Sequence, residues 1–215
     1  MNIQQSCGAL KFVAYIPHGV GSAFKEVTPE RSWPDSDERT IKCVYVSNAE
    51  IYKHQWVVVK AVSTLRKRDH NINLRLVGGG KRHAQRKFEK VVASQDPDGE
   101  FVEQLEFLLH AVLPELLAQT DLFVFASSCE NMPVTLVDVM AVGLHIECSN
   151  RRLMHEILAD GGVYFDPEDS GFFAAAIEQL MHSSALRLSC CRRTKSLAQR
   201  YSWKRCADET LKFIK

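Results

Sequence analysis

Short β-branched segments alternate with longer helical patterns along most of the chain, and this alternation restricts the fold more than any other feature of the sequence. Strand patterns cover 11–16, 41–47, 73–77, 101–107, 121–126, 144–148 and 163–165, and helically spaced apolar residues fill most of the intervals. Parallel strands need crossover helices of this kind. The sequence therefore predicts a single doubly wound α/β domain over 1–215, with a mainly parallel, Rossmann-like sheet and helices on both faces.

The composition excludes several classes of protein. Hydrophobic residues form 46% of the 215 residues, which is enough for a buried core. No apolar run approaches the roughly 18–20 residues that a membrane-spanning helix needs. The formal net charge of +1 provides no overall field to attract nucleic acid, so no nucleic-acid partner is expected. The seven cysteines include no CxxC pair, and the N-terminus has no signal-peptide pattern. We therefore expect reduced thiols, no metal site and a cytoplasmic protein, free or peripheral to a membrane.

Ligands of doubly wound domains bind outside the carboxyl ends of the strands, so the residues that follow each predicted strand are the best candidates for a site. Asn48 and Lys53 follow the strand at 41–47, with Lys53 just before a helix. A lysine at this place can contact a phosphate beside the free N–H groups of the helix start. The alternative is a solvated lysine that binds nothing.

Three consecutive glycines, Gly78, Gly79 and Gly80, follow the strand at 73–77. Glycines let the backbone approach a ligand closely and adopt a positive φ. The run matches neither GxGxxG nor GxxxxGK[ST], so it is a weak nucleotide motif by itself. A tight turn without a ligand is an equally good interpretation.

The segment SSCENMPVTLVD, at 127–138, follows the apolar strand at 121–126 and carries two carboxylates. Pro133 indicates a helix start, which places Glu130 in the preceding loop and Asp138 about one turn inside the helix. Both carboxylates can then border one cleft and accept hydrogen bonds from sugar hydroxyls, while N–H groups at the helix start bind a diphosphate. Alternatively, Glu130 caps its own loop and Asp138 is a solvated helix residue.

These turns belong to a longer series of motifs. The series is IPHGVG (16–21), YVSNAEIYKHQ (45–55), LVGGG (76–80), LPELLAQTDLFVFASSCENMP (113–133), VYFDPED (163–169) and YSW (201–203). In this order the motifs resemble the C-terminal, donor-binding domain of the group 1 glycosyltransferases, a retaining class with the GT-B fold. The resemblance extends over about 13–213, and the family's acidic pair falls on Glu130 and Asp138.

The resemblance implies a hexosyltransferase that uses a nucleoside diphosphate sugar as its donor substrate, with no cofactor. Glu130 and Lys53 would be the catalytic residues, acting on the transferred sugar and the departing diphosphate. The segment 107–112 would border the nucleotide and its base. The donor-binding residues implied by the resemblance are Asn48, Gly78, Gly79, Asn131, Met132, Pro133, Val134 and Asp138, with the N–H groups of 131–134 on the sugar and diphosphate and Asp138 on the ribose.

The chain departs from the family pattern at two of these positions. Asp138 stands where the family usually has glutamate, and Asn48 stands where many members have arginine. The family also has an N-terminal, acceptor-binding domain that nothing in this sequence resembles, so a separate acceptor-binding domain or chain is the expected partner. The competing interpretation is a degenerate or non-catalytic domain that binds a nucleotide sugar. An exposed apolar patch facing an acceptor domain would favour the enzyme.

Overall fold

The computed structural model describes residues 13–30, 32–34, 39–80 and 82–215. In this part of the chain, six strands form one sheet: β1 (Ile41–Val46), β2 (Ile72–Val77), β3 (Val102–Leu105), β4 (Leu122–Phe125), β5 (His145–Ser149) and β6 (Val163–Phe165). Their order is β3-β2-β1-β4-β5-β6, and every pairing is parallel. The predicted doubly wound sheet is confirmed.

Helices cover both faces of this sheet. They are α1 (Ser22–Glu26), α2 (Gln55–Arg66), α3 (Arg82–Gln95), α4 (Leu113–Ala118), α5 (Val134–Val142), α6 (Arg152–Leu158), α7 (Ser170–His182), α8 (Ser184–Ala198) and α9 (Trp203–Phe213). The helix α2 packs against α3 and α7, whereas α5 packs against α1 and α8. Within the described ranges, none of the helices is both long and apolar enough to cross a lipid bilayer.

The centre of the sheet is the junction of β1 and β4. All four residues of β4 are buried, as expected for a strand that is covered on both faces. Strands β2 and β3 follow β1 in one direction across the sheet, and β5 and β6 follow β4 in the other. The strand order therefore reverses at this junction, and that reversal leaves a crevice at the carboxyl ends of the two strands.

The predicted strand at 11–16 is wrong over 13–16, which has no regular secondary structure, while 11–12 lie outside the described residues. Val13 and Tyr15, two of its apolar residues, are 52% and 75% exposed. The segment therefore buries no apolar face that would hold it against the sheet. The nearest strand-like contact is a single parallel bridge between Val20 and Ser202.

Two predicted helix boundaries are confirmed by their local geometry. Gly143 ends α5 in the left-handed region, at φ 82°, where glycine is the preferred residue. Ser202 precedes α9, and its side chain accepts a hydrogen bond from the N–H of Arg205. Such a cap satisfies one of the N–H groups that a helix start leaves without a partner.

Candidate functional site

A cleft of about 490 Å³ opens at the carboxyl ends of β1, β2 and β4, beside the junction where the strand order reverses. Its walls are the loops after β1, β3 and β4 and the first residues of α5. Seven of the ten predicted site residues line it: Asn48, Lys53, Gly78, Glu130, Met132, Pro133 and Val134. The other three, Gly79, Asn131 and Asp138, are not part of the lining. The cleft therefore lies where doubly wound domains bind ligands.

Lys53 and Glu130 form an ion pair in this cleft, with Lys53 Nζ donating to Glu130 Oε1. Their side chains are only 15% and 14% exposed, so the charges are screened less than those of a surface pair. Lys53 Nζ also lies 5.3 Å from the ring centre of Tyr52 and 5.7 Å from that of Phe125, close enough for cation–π attraction. The site therefore holds one positive and one negative group side by side.

Hydrogen bonds join the loop that carries Lys53 to the loop that carries Glu130. The Ser128 N–H donates to the carbonyl of Tyr52 at 2.8 Å, and Ser128 Oγ lies 2.8 Å from His54 Nε2. His54 is buried and adopts φ 50°, ψ 30°, a left-handed conformation that is unusual for a residue other than glycine. Burial lowers the pKa of its imidazole, which favours the neutral ring. No sequence pattern singles out His54 or Ser128 for a place in the site.

The glycine run has two different roles. Gly78 has φ 127°, and a Cβ atom there would lie 2.4 Å from the carbonyl oxygen of Ser47. The Gly78 N–H donates to the carbonyl of Leu105, so the turn packs closely between two neighbouring loops. A Cβ atom on Gly79 would have no heavy atom within 4 Å. Backbone packing therefore requires glycine at Gly78 and does not require it at Gly79.

The start of α5 offers fewer N–H groups than the sequence analysis expects over 131–134. Pro133 has no N–H, and the N–H of Val134 donates to the carbonyl of Met132 at 2.9 Å. Asn131 and Met132 keep N–H groups that donate to no acceptor in the described part of the chain. An anion at this end of the cleft would therefore have two of the four expected donors, beside those of the first turn of α5.

Asp138 lies behind the wall of the cleft, so the expectation that both carboxylates border it is met by Glu130 and not by Asp138. The Asp138 side chain is 3% exposed. Its Oδ1 accepts from the Gly21 N–H at 3.3 Å, and its Oδ2 lies 3.0 Å from His110 Nε2. Burial raises the pKa of Asp138, while the hydrogen bonds from His110 and Gly21 oppose that shift. His110, by contrast, lines the cleft, and its side chain is 63% exposed.

The sequence predicts that the segment 107–112 borders the cleft, but it does not single out His110 within that segment. Phe107, Leu108 and His110 line the cleft, as expected for this segment. A histidine in a loop carries no spacing signal, and its partner Asp138 is 28 residues away. Only the packing of the loop after β3 against α5 brings the two side chains together.

Large apolar side chains are exposed beside the cleft. Those on the loops after β1 and β3 are Ile51, Tyr52, Phe107, Leu109 and Val112, with exposed fractions between 41% and 75%. They lie at the carboxyl end of the sheet, the same end as the cleft. Exposed apolar surface of this kind is typical of a site that contacts another protein or domain.

The described residues contain neither a cluster of metal-ligating side chains nor a disulfide. No group of three or more His, Cys, Asp or Glu side chains there is placed to hold a metal ion. The described cysteines are free thiols, and burial raises the pKa of several of them, Cys43 and Cys148 among them.

Comparison with known sequences finds similarity to glycosyltransferases. The family model described as glycosyl transferases group 1 matches residues 28–197. The chain is similar to O-antigen chain mannosyltransferase B from Escherichia coli, with 27% identity over 115 residues, 54% of this chain and 30% of that protein. It is also similar to D-inositol 3-phosphate glycosyltransferase from Pseudarthrobacter chlorophenolicus, with 26% identity over 179 residues, 81% of this chain and 42% of that protein. The chain thus spans less than half the length of these relatives.

Solved structures show the same fold. Sucrose-phosphate synthase from Thermosynechococcus elongatus superposes with a TM-score of 0.76 at 19% identity, covering 92% of this chain and 50% of that one. Anabaena HepE, solved with UDP and glucose, gives 0.73 at 16% identity, covering 81% and 48%. The C-terminal domain of the group 1 protein LpcC from Francisella tularensis gives 0.65 at 14% identity, covering 86% and 94%. With the family model matching most of its length, the chain belongs to the group 1 glycosyltransferases.

Proposed function

We propose that this chain is the donor-binding part of a glycosyltransferase, and that its cleft binds a nucleoside diphosphate sugar for transfer of a hexosyl group with retention of configuration. The observation that carries the proposal is the Lys53–Glu130 ion pair in a cleft at the junction of β1 and β4. The names of the relatives support it, since both are glycosyltransferases. The likeness in fold to HepE, which was solved with UDP and glucose, also agrees with it.

The ion pair supplies opposite charges to two parts of one ligand. Lys53 binds the diphosphate and stabilises the negative charge that develops on it as the sugar departs. Glu130 accepts hydrogen bonds from hydroxyls of the transferred sugar. Without the donor, Lys53 and Glu130 neutralise each other. When the donor binds, their ion pair is replaced by two charge-assisted contacts, one from Lys53 to the diphosphate and one from a sugar hydroxyl to Glu130. The N–H group of Met132, which lines the cleft, adds to the anion site, and that of its neighbour Asn131 lies just outside the lining.

The proposed reaction uses the nucleotide sugar as its substrate and involves no cofactor. Lys53 and the start of α5 provide the positive potential that a diphosphate requires. Asn48 lines the same wall and offers neutral hydrogen-bonding groups instead of a second positive charge.

The acceptor reaches the sugar from a separate acceptor-binding domain or chain. We place this partner over the loops after β1 and β3, because Ile51, Leu109 and Val112 expose apolar side chains there without lining the cleft itself. Burying them would stabilise the association and exclude water from the reacting groups.

The second candidate is a non-catalytic domain that binds a nucleotide sugar. The buried position of Asp138, away from the cleft, and the neutral Asn48 favour it, because both weaken the donor site relative to the family pattern. Transfer of a hexose from a donor that this chain binds, by this chain together with an acceptor-binding partner, would exclude this candidate.

Calorimetric titration of two variants tests the proposed roles. Lys53→Ala should weaken nucleoside diphosphate binding by about 1.5–3 kcal/mol, roughly 10- to 150-fold, because it removes a charge-assisted hydrogen bond. Glu130→Gln should weaken binding of the sugar conjugate while leaving the diphosphate nearly unaffected. Lys60→Ala, an exposed lysine on α2, is the control and should change neither affinity. Equal losses of both ligands in Glu130→Gln would contradict its assignment to the sugar.

A further inference from the structure

The proposed function assigns no role to the pair formed by His110 and Asp138. Asp138 is buried and its carboxylate lies 3.0 Å from His110 Nε2, whereas the His110 side chain is 63% exposed and lines the cleft. The His110 ring also packs against Phe24, with 4.9 Å between ring centres. A buried carboxylate thus fixes the orientation of an imidazole that a ligand can reach.

The hydrogen bond with Asp138 also fixes which nitrogen of His110 carries a proton. A carboxylate accepts hydrogen bonds, so Nε2 donates to it, and in the neutral ring Nδ1 is then the acceptor. Nδ1 makes no hydrogen bond within the described part of the chain. In histidines generally, the hydrogen bond made by one ring nitrogen sets which role the other nitrogen plays. In its neutral form, His110 therefore offers one oriented acceptor, which suits a hydroxyl group of the ligand.

The position of His110 in the cleft indicates which hydroxyl group of the donor it contacts. A nucleotide sugar is a linear sequence of sugar, diphosphate, ribose and base. Lys53 and Glu130 occupy the part of the cleft formed by the loops after β1 and β4, whereas His110 belongs to the loop after β3, with Phe107 and Leu108 beside it. If the sugar and diphosphate contact the ion pair, the ribose is the next hydroxyl-bearing unit, and the apolar residues remain for the base.

We propose that His110, oriented by Asp138, binds a ribose hydroxyl of the donor and makes this cleft selective for ribonucleotides. The proposal rests on the proposed function and deepens it. Asp138 then acts as a positioning residue: its carboxylate contributes to ribose binding through the imidazole and not by direct contact.

The test is calorimetric titration of the chain with UDP, GDP and ADP, and with the 2′-deoxy and 3′-deoxy form of whichever diphosphate binds. Removing the contacted hydroxyl should weaken binding to the unmodified chain roughly 5- to 20-fold, because it leaves the oriented acceptor without its donor. In His110→Phe, the ribo form and that deoxy form should bind equally. Asp138→Asn should reduce the ratio without abolishing binding, since the amide no longer enforces one tautomer. Lys53→Ala is the matched control: it should weaken both forms and leave their ratio unchanged.

The outcomes separate the two proposals. Binding of no diphosphate to the unmodified chain would overturn the proposed function and this inference together. Binding with the same ribo-to-deoxy ratio in His110→Phe would overturn the ribose assignment alone and leave the donor site in place. Because His110 is largely exposed, His110→Phe should fold, and His110→Gln provides a second variant that keeps a hydrogen-bonding group at this position.

Discussion

Glu147 places a carboxyl group in the interior of the sheet. It lies on β5, is fully buried, and neither of its side-chain oxygens has a hydrogen-bond partner in the described part of the chain. Burial raises its pKa well above the ordinary value, so the folded protein holds the proton more tightly than the unfolded chain does. The tendency of this carboxyl to ionise therefore destabilises the fold above the ordinary carboxyl pKa, and the effect grows with pH until the raised pKa of the folded state is passed.

Glu147→Leu should raise the free energy of unfolding at pH 7 by about 1–3 kcal/mol, because it removes an unsatisfied buried polar group. The gain should shrink as the pH falls towards the ordinary carboxyl pKa, where the acid is protonated in both states. Urea denaturation at pH 7 and pH 5 measures both effects. Glu106→Leu, at an exposed position, is the control. A gain that does not vary with pH would show that the carboxyl is not perturbed.

Gly78 and Gly79 form a matched pair for backbone strain. Gly78→Ala should lower the free energy of unfolding by about 1–3 kcal/mol, because its φ is unfavourable for alanine and the new Cβ would meet the Ser47 carbonyl. Gly79→Ala should have little effect, since a Cβ there meets nothing within 4 Å. Denaturation of the two variants side by side decides the matter; similar losses would contradict the difference in packing.

How far the site could be predicted differs from residue to residue. Lys53 and Glu130 follow two strands whose carboxyl ends meet at one edge, so their meeting follows from the predicted topology. The burial of Asp138 does not follow from the topology, because the sequence pattern of a helix does not show whether its carboxylate faces a cleft or a histidine. The role of His110 cannot be predicted for the same reason, since tertiary packing alone creates its contact with Asp138.

At the scale of secondary-structure elements, the link between the loops after β1 and β4 sets the geometry of the site. His54 and Ser128 are joined by a hydrogen bond of 2.8 Å, and His54 keeps an unusual left-handed backbone beside Lys53. Such strain is found where surrounding contacts enforce it, commonly at functional sites. The link therefore aligns the two halves of the ion pair before any ligand binds.

A double-mutant cycle measures this link. His54→Ala and Ser128→Ala should each destabilise the protein, and the combination should cost less than the sum, with a coupling of about 0.5–1.5 kcal/mol in the free energy of unfolding. A cycle of His54→Ala with Ser94→Ala, an exposed serine on α3, should be additive. Additivity in the His54 and Ser128 cycle would mean that this hydrogen bond does not join the loops.

The same scale shows where pattern reasoning succeeds and where it fails. The apolar run of β4 and the signals at Gly143 and Ser202 were sufficient, because they reflect local backbone chemistry. The segment 13–16 has a strand-like composition and forms no strand, because pairing also needs a buried face. A short apolar run therefore predicts a strand only when the neighbouring elements leave it a place in the sheet.

At the scale of the whole molecule, the strand order of the sheet reverses between β1 and β4. The cleft, the ion pair and the exposed apolar side chains of the loops after β1 and β3 all lie at the carboxyl end of the sheet, beside this reversal. The fold and the family follow from the sequence and its relatives. The base, the sugar and the acceptor do not follow from it, because they depend on side-chain placement in the cleft and on a surface that a partner would cover.

The central claim is that the cleft binds a nucleoside diphosphate sugar, and its most direct test is calorimetric titration of the unmodified chain. The panel consists of nucleoside diphosphates and their hexose conjugates, titrated without metal and then with magnesium. We expect the nucleotides of one base to bind. Their binding should not require magnesium, and their affinity should fall at least about 10-fold in Lys53→Ala. No binding across the panel, or binding that is unchanged in Lys53→Ala, would contradict the donor site described above.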